Sequence, residues 1–141
     1  MVSYDDIYET FLLNCGYDFD ELPQTDTARY KVIKNAVMHY NQLAKKYEGR
    51  LQGGVICDDG SESINVELTD IELLILAYII AENIARTKLV EFNSIYGTYS
   101  AELGFQNYKA QCEVRQYTIQ QFKDRYMTLI HDEIDTFITT E

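Results

Sequence analysis

The feature that most limits the folds open to this chain is a capped run of nine apolar residues. Thr69 is placed to cap a helix, and Glu72 is placed to complete its capping box. Residues 73–81, which follow, are apolar on every face of a helix, so neighbouring segments must cover that helix on all sides. The run is far shorter than the ~20 residues that span a membrane. The sequence therefore predicts the central helix of a bundle.

Three further helices are predicted around this segment. The first begins after Ser3, the start of a second capping box, and ends before Gly16. The second occupies about residues 26–47, where apolar residues recur at steps of three and four. A loop is predicted over residues 93–104, and the last helix begins near Phe105 and keeps its period almost to the C-terminus. The chain contains one proline, so few helix breaks are enforced.

Residues 50–67 are the one stretch with the character of strands. Two short apolar runs flank an acidic turn at residues 58–62, a pattern typical of a small β-hairpin or an extended loop. An isolated hairpin of this size is marginal in water, so it needs a partner surface or stays mobile. The predicted fold class is therefore mainly α, a single domain over residues 1–141 with about four helices and this small extended element.

The predicted last helix is long for a chain of this size. Unbroken from 105 to 138, it would measure about 50 Å at ~1.5 Å per residue. A compact domain of 141 residues has a diameter below about 40 Å. Part of the helix should therefore project, or residues 130–141 should form a separate docking tail. The alternative, in which residues 130–138 simply complete the bundle, stays open.

Charge is distributed in bands along the chain. The net charge is −11, from 23 acids and 12 bases. Residues 1–26 and 51–83 each contain seven acids and no base, whereas residues 27–50 contain six bases and one acid. Such bands can join neighbouring helices within one subunit or neighbouring copies in an assembly, and the sequence leaves both open. The overall charge argues against a general binder of nucleic acid or of anionic lipid.

The reactive residue types do not form a recognisable active site. The three cysteines are widely spaced without a CxxC pair and share no ligand spacing with the two histidines, which argues against zinc and against a disulfide framework. Phosphate-binding, nucleophile-elbow and calcium-loop motifs are absent from the sequence. We therefore predict no catalytic residue, no metal and no cofactor. The acidic N-terminus also differs from a secretory signal, which indicates synthesis in a reducing cytosol.

Two stretches resemble the small head–tail connector, or adaptor, proteins of tailed bacteriophages. They are Tyr4–Leu12 (YDDIYETFL), at the start of the first helix, and Ile64–Ala77 (INVELTDIELLILA), the end of the acidic loop with the capped central helix. Their separation and the length of the chain are also similar to those of the family. The resemblance implies a ring, typically a dodecamer, that lies beneath the portal after DNA packaging, extends the DNA channel and docks the next neck or tail protein.

The resemblance also implies contact residues. C-terminal segments of the family commonly contact the portal protein, so the implied portal-docking residues are Ile130, Ile134, Phe137 and Ile138. The implied contacts with a neighbouring copy or a downstream ring are Val55, Ile56, Asp58, Asp59 and Ile64. DNA would pass through the ring without specific binding, and no membrane would be involved. The protein would be made in the cytoplasm of the bacterial host and reside in the virion neck.

Two other functions fit the composition. An inhibitor that imitates DNA would explain the acidity, but it needs carboxylates along one surface, and the bases of residues 27–50 interrupt the series. A phage assembly chaperone would also be acidic, helical and dependent on a partner. The chaperone would leave the finished particle, whereas a connector would remain in it.

Overall fold

The computed structural model describes residues 2–17, 22–96 and 105–133. These residues contain four α-helices and one two-stranded antiparallel sheet, which confirms the predicted mainly α fold class. In chain order the elements are α1 (Tyr4–Cys15), α2 (Asp26–Lys46), β1 (Cys57–Asp58), β2 (Ser63–Ile64), α3 (Asp70–Tyr96) and α4 (Phe105–Thr128). A short π-helical turn, Leu129–Glu133, continues α4.

Both predicted capping boxes are present. At the start of α1 the Asp6 amide donates to Ser3 Oγ at 3.0 Å, and the Ser3 amide donates to the Asp6 carboxylate at 3.4 Å. At the start of α3 the Glu72 amide donates to Thr69 Oγ1 at 3.2 Å, and the Thr69 amide donates to Glu72 Oε1 at 3.0 Å. Gly16 ends α1 in the left-handed region, where glycine carries no steric penalty. Local sequence therefore sets these helix boundaries.

Helix α3 is the centre of the bundle, as predicted. Helices α1, α2 and α4 all pack against it. Its apolar run supplies the most deeply buried part of the core, namely Ile75, Leu76, Ala77, Ile79, Ile80 and Ala81. The segment at the C-terminal end of α1 is also bonded to the backbone of α3, because Cys15 Sγ and the Tyr17 hydroxyl donate hydrogen bonds to carbonyls of α3. Burial of each large apolar side chain contributes roughly 1.5–3 kcal/mol, so this helix holds much of the stabilising area.

Helix α3 continues past the predicted start of the loop at Asn93 and ends at Tyr96, so the predicted loop over 93–104 is wrong for its first four residues. Asn93 and Ser94 are weak helix formers, but packing against α4 outweighs that preference. Asn93 Oδ1 accepts a hydrogen bond from the Tyr108 hydroxyl at 2.9 Å, and the rings of Phe92 and Tyr108 stack with their centroids 5.8 Å apart. Residues 97–104 of that prediction lie outside the described residues.

The far ends of α3 and α4 form an extension that we call the arm, defined as residues 86–96 and 105–118. The buried residues of α3 end at Ala85, and those of α4 begin at Ile119. Beyond these positions the two helices contact each other, with the Arg115 guanidinium 4.4 Å from the centre of the Phe92 ring. At ~1.5 Å per residue, the α3 half of the arm is about 16 Å long. That part of the last helix projects from the domain stays a prediction.

The predicted hairpin is present and is anchored to the body of the protein. Strands β1 and β2 pair Cys57 with Ile64 and Asp58 with Ser63. The N-terminal segment lies along the other side of β2, where the Ile64 amide donates to the Val2 carbonyl at 2.9 Å. The side chain of Asn41 on α2 donates to the Val55 carbonyl and accepts from the Val55 amide. The partner surface that such a small hairpin needs is therefore supplied by its own chain.

Candidate functional site

The predicted contact residues of the hairpin divide into buried and exposed positions. Val55 and Ile64 are buried and belong to the hydrophobic core of the subunit. They are therefore not available at the surface to a neighbouring copy. Ile56 points the other way and is 65% exposed, and Asp58 is also exposed. Contact with a neighbour or a downstream ring stays a prediction for these exposed residues.

Asp59 connects the tip of the hairpin to two helices. Its carboxylate accepts a hydrogen bond from Lys34 Nζ on α2 at 2.8 Å and another from the Tyr4 hydroxyl on α1 at 2.7 Å. The hydrogen bond from Lys34, followed by that from Tyr4, lowers the pKa of Asp59 below its ordinary value of 3.8. Within the described residues, Asp59 thus has a structural role inside its own subunit.

This depressed pKa leads to a pH-dependent prediction. A carboxylate with a lower pKa in the folded state stabilises the fold above its unfolded pKa, about 3.9, and that stabilisation disappears as the pH falls through the folded pKa. Asp59→Asn should therefore lower the melting temperature at pH 7, and the difference from the wild type should disappear as the pH falls through the lowered pKa of Asp59. Asp58→Asn, at the adjacent exposed position without a Lys34 contact, is the control. A difference for Asp59→Asn that persists at low pH would contradict the assignment.

The implied portal-docking residues also divide. Ile130 lies in the π-helical turn and its side chain is fully buried, together with those of Tyr126 and Leu129. In this structure Ile130 is thus part of the bundle core and is not a surface anchor. Ile134, Phe137 and Ile138 lie outside the described residues. Portal docking stays a prediction for these three residues.

A buried polar network joins α3 to α4. Glu82 is 1% exposed, and its Oε2 accepts a hydrogen bond from the buried Tyr126 hydroxyl at 2.6 Å. Its Oε1 accepts two hydrogen bonds from Arg86, one turn further along α3, at 3.1 and 2.8 Å. Burial and the hydrogen bond to Glu82 raise the pKa of Tyr126. The sequence did not predict this network, because Glu82 and Tyr126 are 44 residues apart in the chain.

A second network joins α2, the loop before the hairpin and α3. Glu72 Oε2 accepts from the Gln52 amide at 2.6 Å and from the Tyr40 hydroxyl at 3.4 Å, in addition to the capping contact of its Oε1. Burial, followed by the charge of Glu72, raises the pKa of Tyr40. The carboxylate predicted as a simple helix cap is therefore also a buried connection between three segments.

The carboxylates of Glu82 and Glu72 both accept hydrogen bonds from other segments of the bundle. Three grooves on the described part of the chain, with volumes of about 180 to 420 Å³, are lined by residues other than Glu72 and Glu82. Within residues 2–17, 22–96 and 105–133, no group of three histidine, cysteine or acidic side chains is arranged to hold a metal ion. The hydrogen bonds that the two carboxylates accept connect α3 to α2, to α4 and to the loop before the hairpin.

Several large apolar side chains remain on the surface. On the described part of the chain they are Leu12, Leu13, Met38, Ile56, Val90, Ile95, Val114 and Tyr117. Half of them lie on the arm, where Val114 and Tyr117 are three residues apart and share one face of α4. Exposed apolar groups of this size, when clustered, mark contact surfaces for other proteins. Among the helices that the structure describes, none has the length and apolar character required to cross a membrane.

Together, the fold and its surface define a small acidic helical bundle with an anchored hairpin and an exposed two-helix arm. The chain belongs to the YomZ prophage protein family, whose sequence model matches residues 1–135. It is 32% identical over 130 residues to the SPbeta prophage-derived uncharacterized protein YomZ of Bacillus subtilis (strain 168), with 92% of this chain and 94% of that protein covered. No solved structure matches the chain. The family confirms the phage origin that the resemblance implied.

Proposed function

We propose that this protein is a structural component of a phage neck, where copies form a ring that joins the portal to the tail or to the next ring. The observation that carries the proposal is the arm, which leaves Val90, Ile95, Val114 and Tyr117 exposed in a chain of phage origin. Single exposed apolar residues are common on proteins, but large apolar side chains that share one face, as Val114 and Tyr117 do on α4, support a contact with another protein. The resemblance of residues 4–12 and 64–77 to connector proteins gives the class of partner.

The proposed partners are the portal protein, further copies of the chain and a downstream neck or tail protein. A closed ring requires two different faces of one subunit that meet head to tail. Ile134, Phe137 and Ile138 are the proposed portal contacts, and Ile56 and Asp58 on the exposed side of the hairpin are the proposed contacts with a neighbour or a downstream ring. A net charge of −11 per subunit would let the DNA phosphates pass without being held.

The composition of finished particles tests this proposal against the chaperone alternative. Induced phage particles would be purified on a density gradient, and the chain and the portal protein would be quantified by mass spectrometry with labelled standard peptides. A connector should be present at about one copy per portal subunit, as the resemblance implies. Particles that contain portal protein but lack this chain would contradict the proposal and favour a chaperone.

A further inference from the structure

The outer face of α1 is acidic at one end and apolar at the other. Asp5, Asp6 and Glu9 are exposed on the first two turns of the helix. Leu12 and Leu13 follow on the next turn, and the side chain of Leu13 is 77% exposed. At 100° per residue these five positions fall on one side of the helix, opposite Ile7 and Phe11 in the core. We call these five residues the acidic face.

The outer face of α2 has the opposite charge around a single apolar residue. Lys31, Met38 and Lys45 follow each other at intervals of seven residues, or about two turns, so they lie on one stripe of the helix. All three are exposed, and Met38 is 64% exposed. Gln42 lies between them on the same stripe, and α2 has no acid after its first residue. We call Lys31, Met38, Gln42 and Lys45 the basic face.

The charges of the two faces make no ion pair among the described residues, although the Asp6 carboxylate also accepts a hydrogen bond from the Ser3 amide in the capping box of α1. Ion pairs among the described residues include Arg29 with Asp26, Lys34 with Asp59, and Arg86 with Glu82. The Lys34 pair joins the basic band to an acidic band that is distant in sequence. The acids of α1 and the two lysines of the basic face make no ion pair in this set, although α1 and α2 belong to the same bundle.

We propose that the acidic face of one copy binds the basic face of the next copy. On α1 the acids lie about 8 Å along the helix from the leucines, and on α2 Lys31 lies about 10 Å from Met38, at ~1.5 Å per residue. In a single arrangement of two copies, the acids of one copy can therefore pair with Lys31 of the next, while Leu12 and Leu13 cover Met38. The two faces differ, so the contact is head to tail and leaves a free face at each end of any open chain.

A second copy fits these faces better than other partners do. Nucleic acid and anionic lipid would be repelled by the acidic face, whereas this chain carries a matching surface of each sign. The net charge of −11 opposes association over long distances. At 0.15 M salt the Debye length is about 8 Å, so that long-range repulsion is largely screened while charges in contact are screened much less.

The inference rests on the proposed ring, but its test needs no portal protein. Variant A is Asp5→Lys/Glu9→Lys, which makes both faces basic. Variant B is Lys31→Glu/Lys45→Glu, which makes both faces acidic. Each variant alone should self-associate at least about tenfold more weakly than the wild type in 0.15 M salt, because attractive pairs become repulsive. An equimolar mixture of A and B restores both contacts in alternation and should associate to within about threefold of the wild type.

Sedimentation equilibrium measures these associations, and circular dichroism verifies that each variant is folded. The matched control is Lys123→Glu/Asp124→Lys, which exchanges the charges of two exposed residues of α4 outside both faces and outside the arm. This control should associate like the wild type.

A wild-type chain that remains monomeric up to about 1 mM, a contact weaker than about −4 kcal/mol, would overturn the inference. It would also be overturned if A or B associated normally, or if their mixture stayed dissociated. Portal binding is measured separately, so a monomer that still binds portal rings would refute this interface and leave the proposed neck function standing.

Discussion

Replacing Arg86 with Leu should lower the free energy of unfolding by about 2–3 kcal/mol. The Glu82 carboxylate is buried and accepts two hydrogen bonds from Arg86, so the substitution leaves it with the Tyr126 hydroxyl alone. Removing one partner of a buried ion pair typically costs about 3–5 kcal/mol. We expect a smaller loss because the Arg86 side chain is 55% exposed, which lets water replace part of the contact. Urea unfolding followed by circular dichroism measures the change.

A second substitution shows whether the uncompensated charge causes this loss. Glu82→Gln in the Arg86→Leu background removes the charge and keeps an oxygen that accepts from Tyr126, so it should recover part of the stability. Lys123→Leu, which removes an exposed base from α4, is the control and should change the stability by less than about 0.5 kcal/mol. A double variant that is less stable than Arg86→Leu alone would contradict the role of Glu82 as a buried charge held by Arg86.

Replacing Ile134 and Phe137 with Asp should abolish binding to portal rings and leave the bundle folded. Both residues follow Ile130, the last buried residue that the structure describes. If each apolar side chain contributes at least about 2 kcal/mol to the binding free energy, the loss of both would weaken binding by about a thousandfold or more. Binding would be followed by co-sedimentation with portal rings from the same genome, and folding by thermal unfolding.

Gln121→Asp is the matched control for the portal experiment. It adds a negative charge to an exposed position of α4 that lies within the described bundle. Its binding to portal rings should equal that of the wild type. If the Ile134 and Phe137 variant still bound normally, these residues would not be portal contacts, and the exposed residues of the arm would be the next candidates.

The helices were predictable because their signals are local. Ser3 with Asp6, and Thr69 with Glu72, specify two helix starts within four residues each, and Gly16 specifies an end. The central position of α3 followed from an apolar run that no amphipathic helix would have. The hairpin was predictable for the same reason, since its turn and its flanking apolar runs are contiguous in sequence.

The features that sequence reasoning missed depend on residues far apart in the chain. Tyr126, 44 residues after Glu82, makes the burial of that carboxylate tolerable. A local signal could have indicated this buried carboxylate. Arg86 follows Glu82 by one helical turn, and the apolar residues of α3 continue beyond Glu82. Asn93 stays helical where α3 packs against α4 and its Oδ1 accepts a hydrogen bond from the Tyr108 hydroxyl, which propensity alone does not show.

The candidate contact residues were selected by residue type, and residue type alone does not show whether a side chain faces the core or the solvent. In the hairpin segment Val55 is buried and Ile56 is exposed, the alternation expected of extended backbone. Ile130 continues the helical period of Ile119 and Tyr126, so it faces the core as they do. The charge bands indicated unlike faces, but only the structure shows which charges already have partners inside the subunit.

The most direct test of the proposed neck function is the binding ratio between this chain and its portal. The purified chain would be sedimented with portal rings from the same genome, and the bound copies would be counted by native mass spectrometry. The proposal predicts a ring with one copy per portal subunit. A folded chain that fails to sediment with the portal, or that binds at a small fraction of that ratio, would contradict it and favour the chaperone or DNA-mimic alternatives.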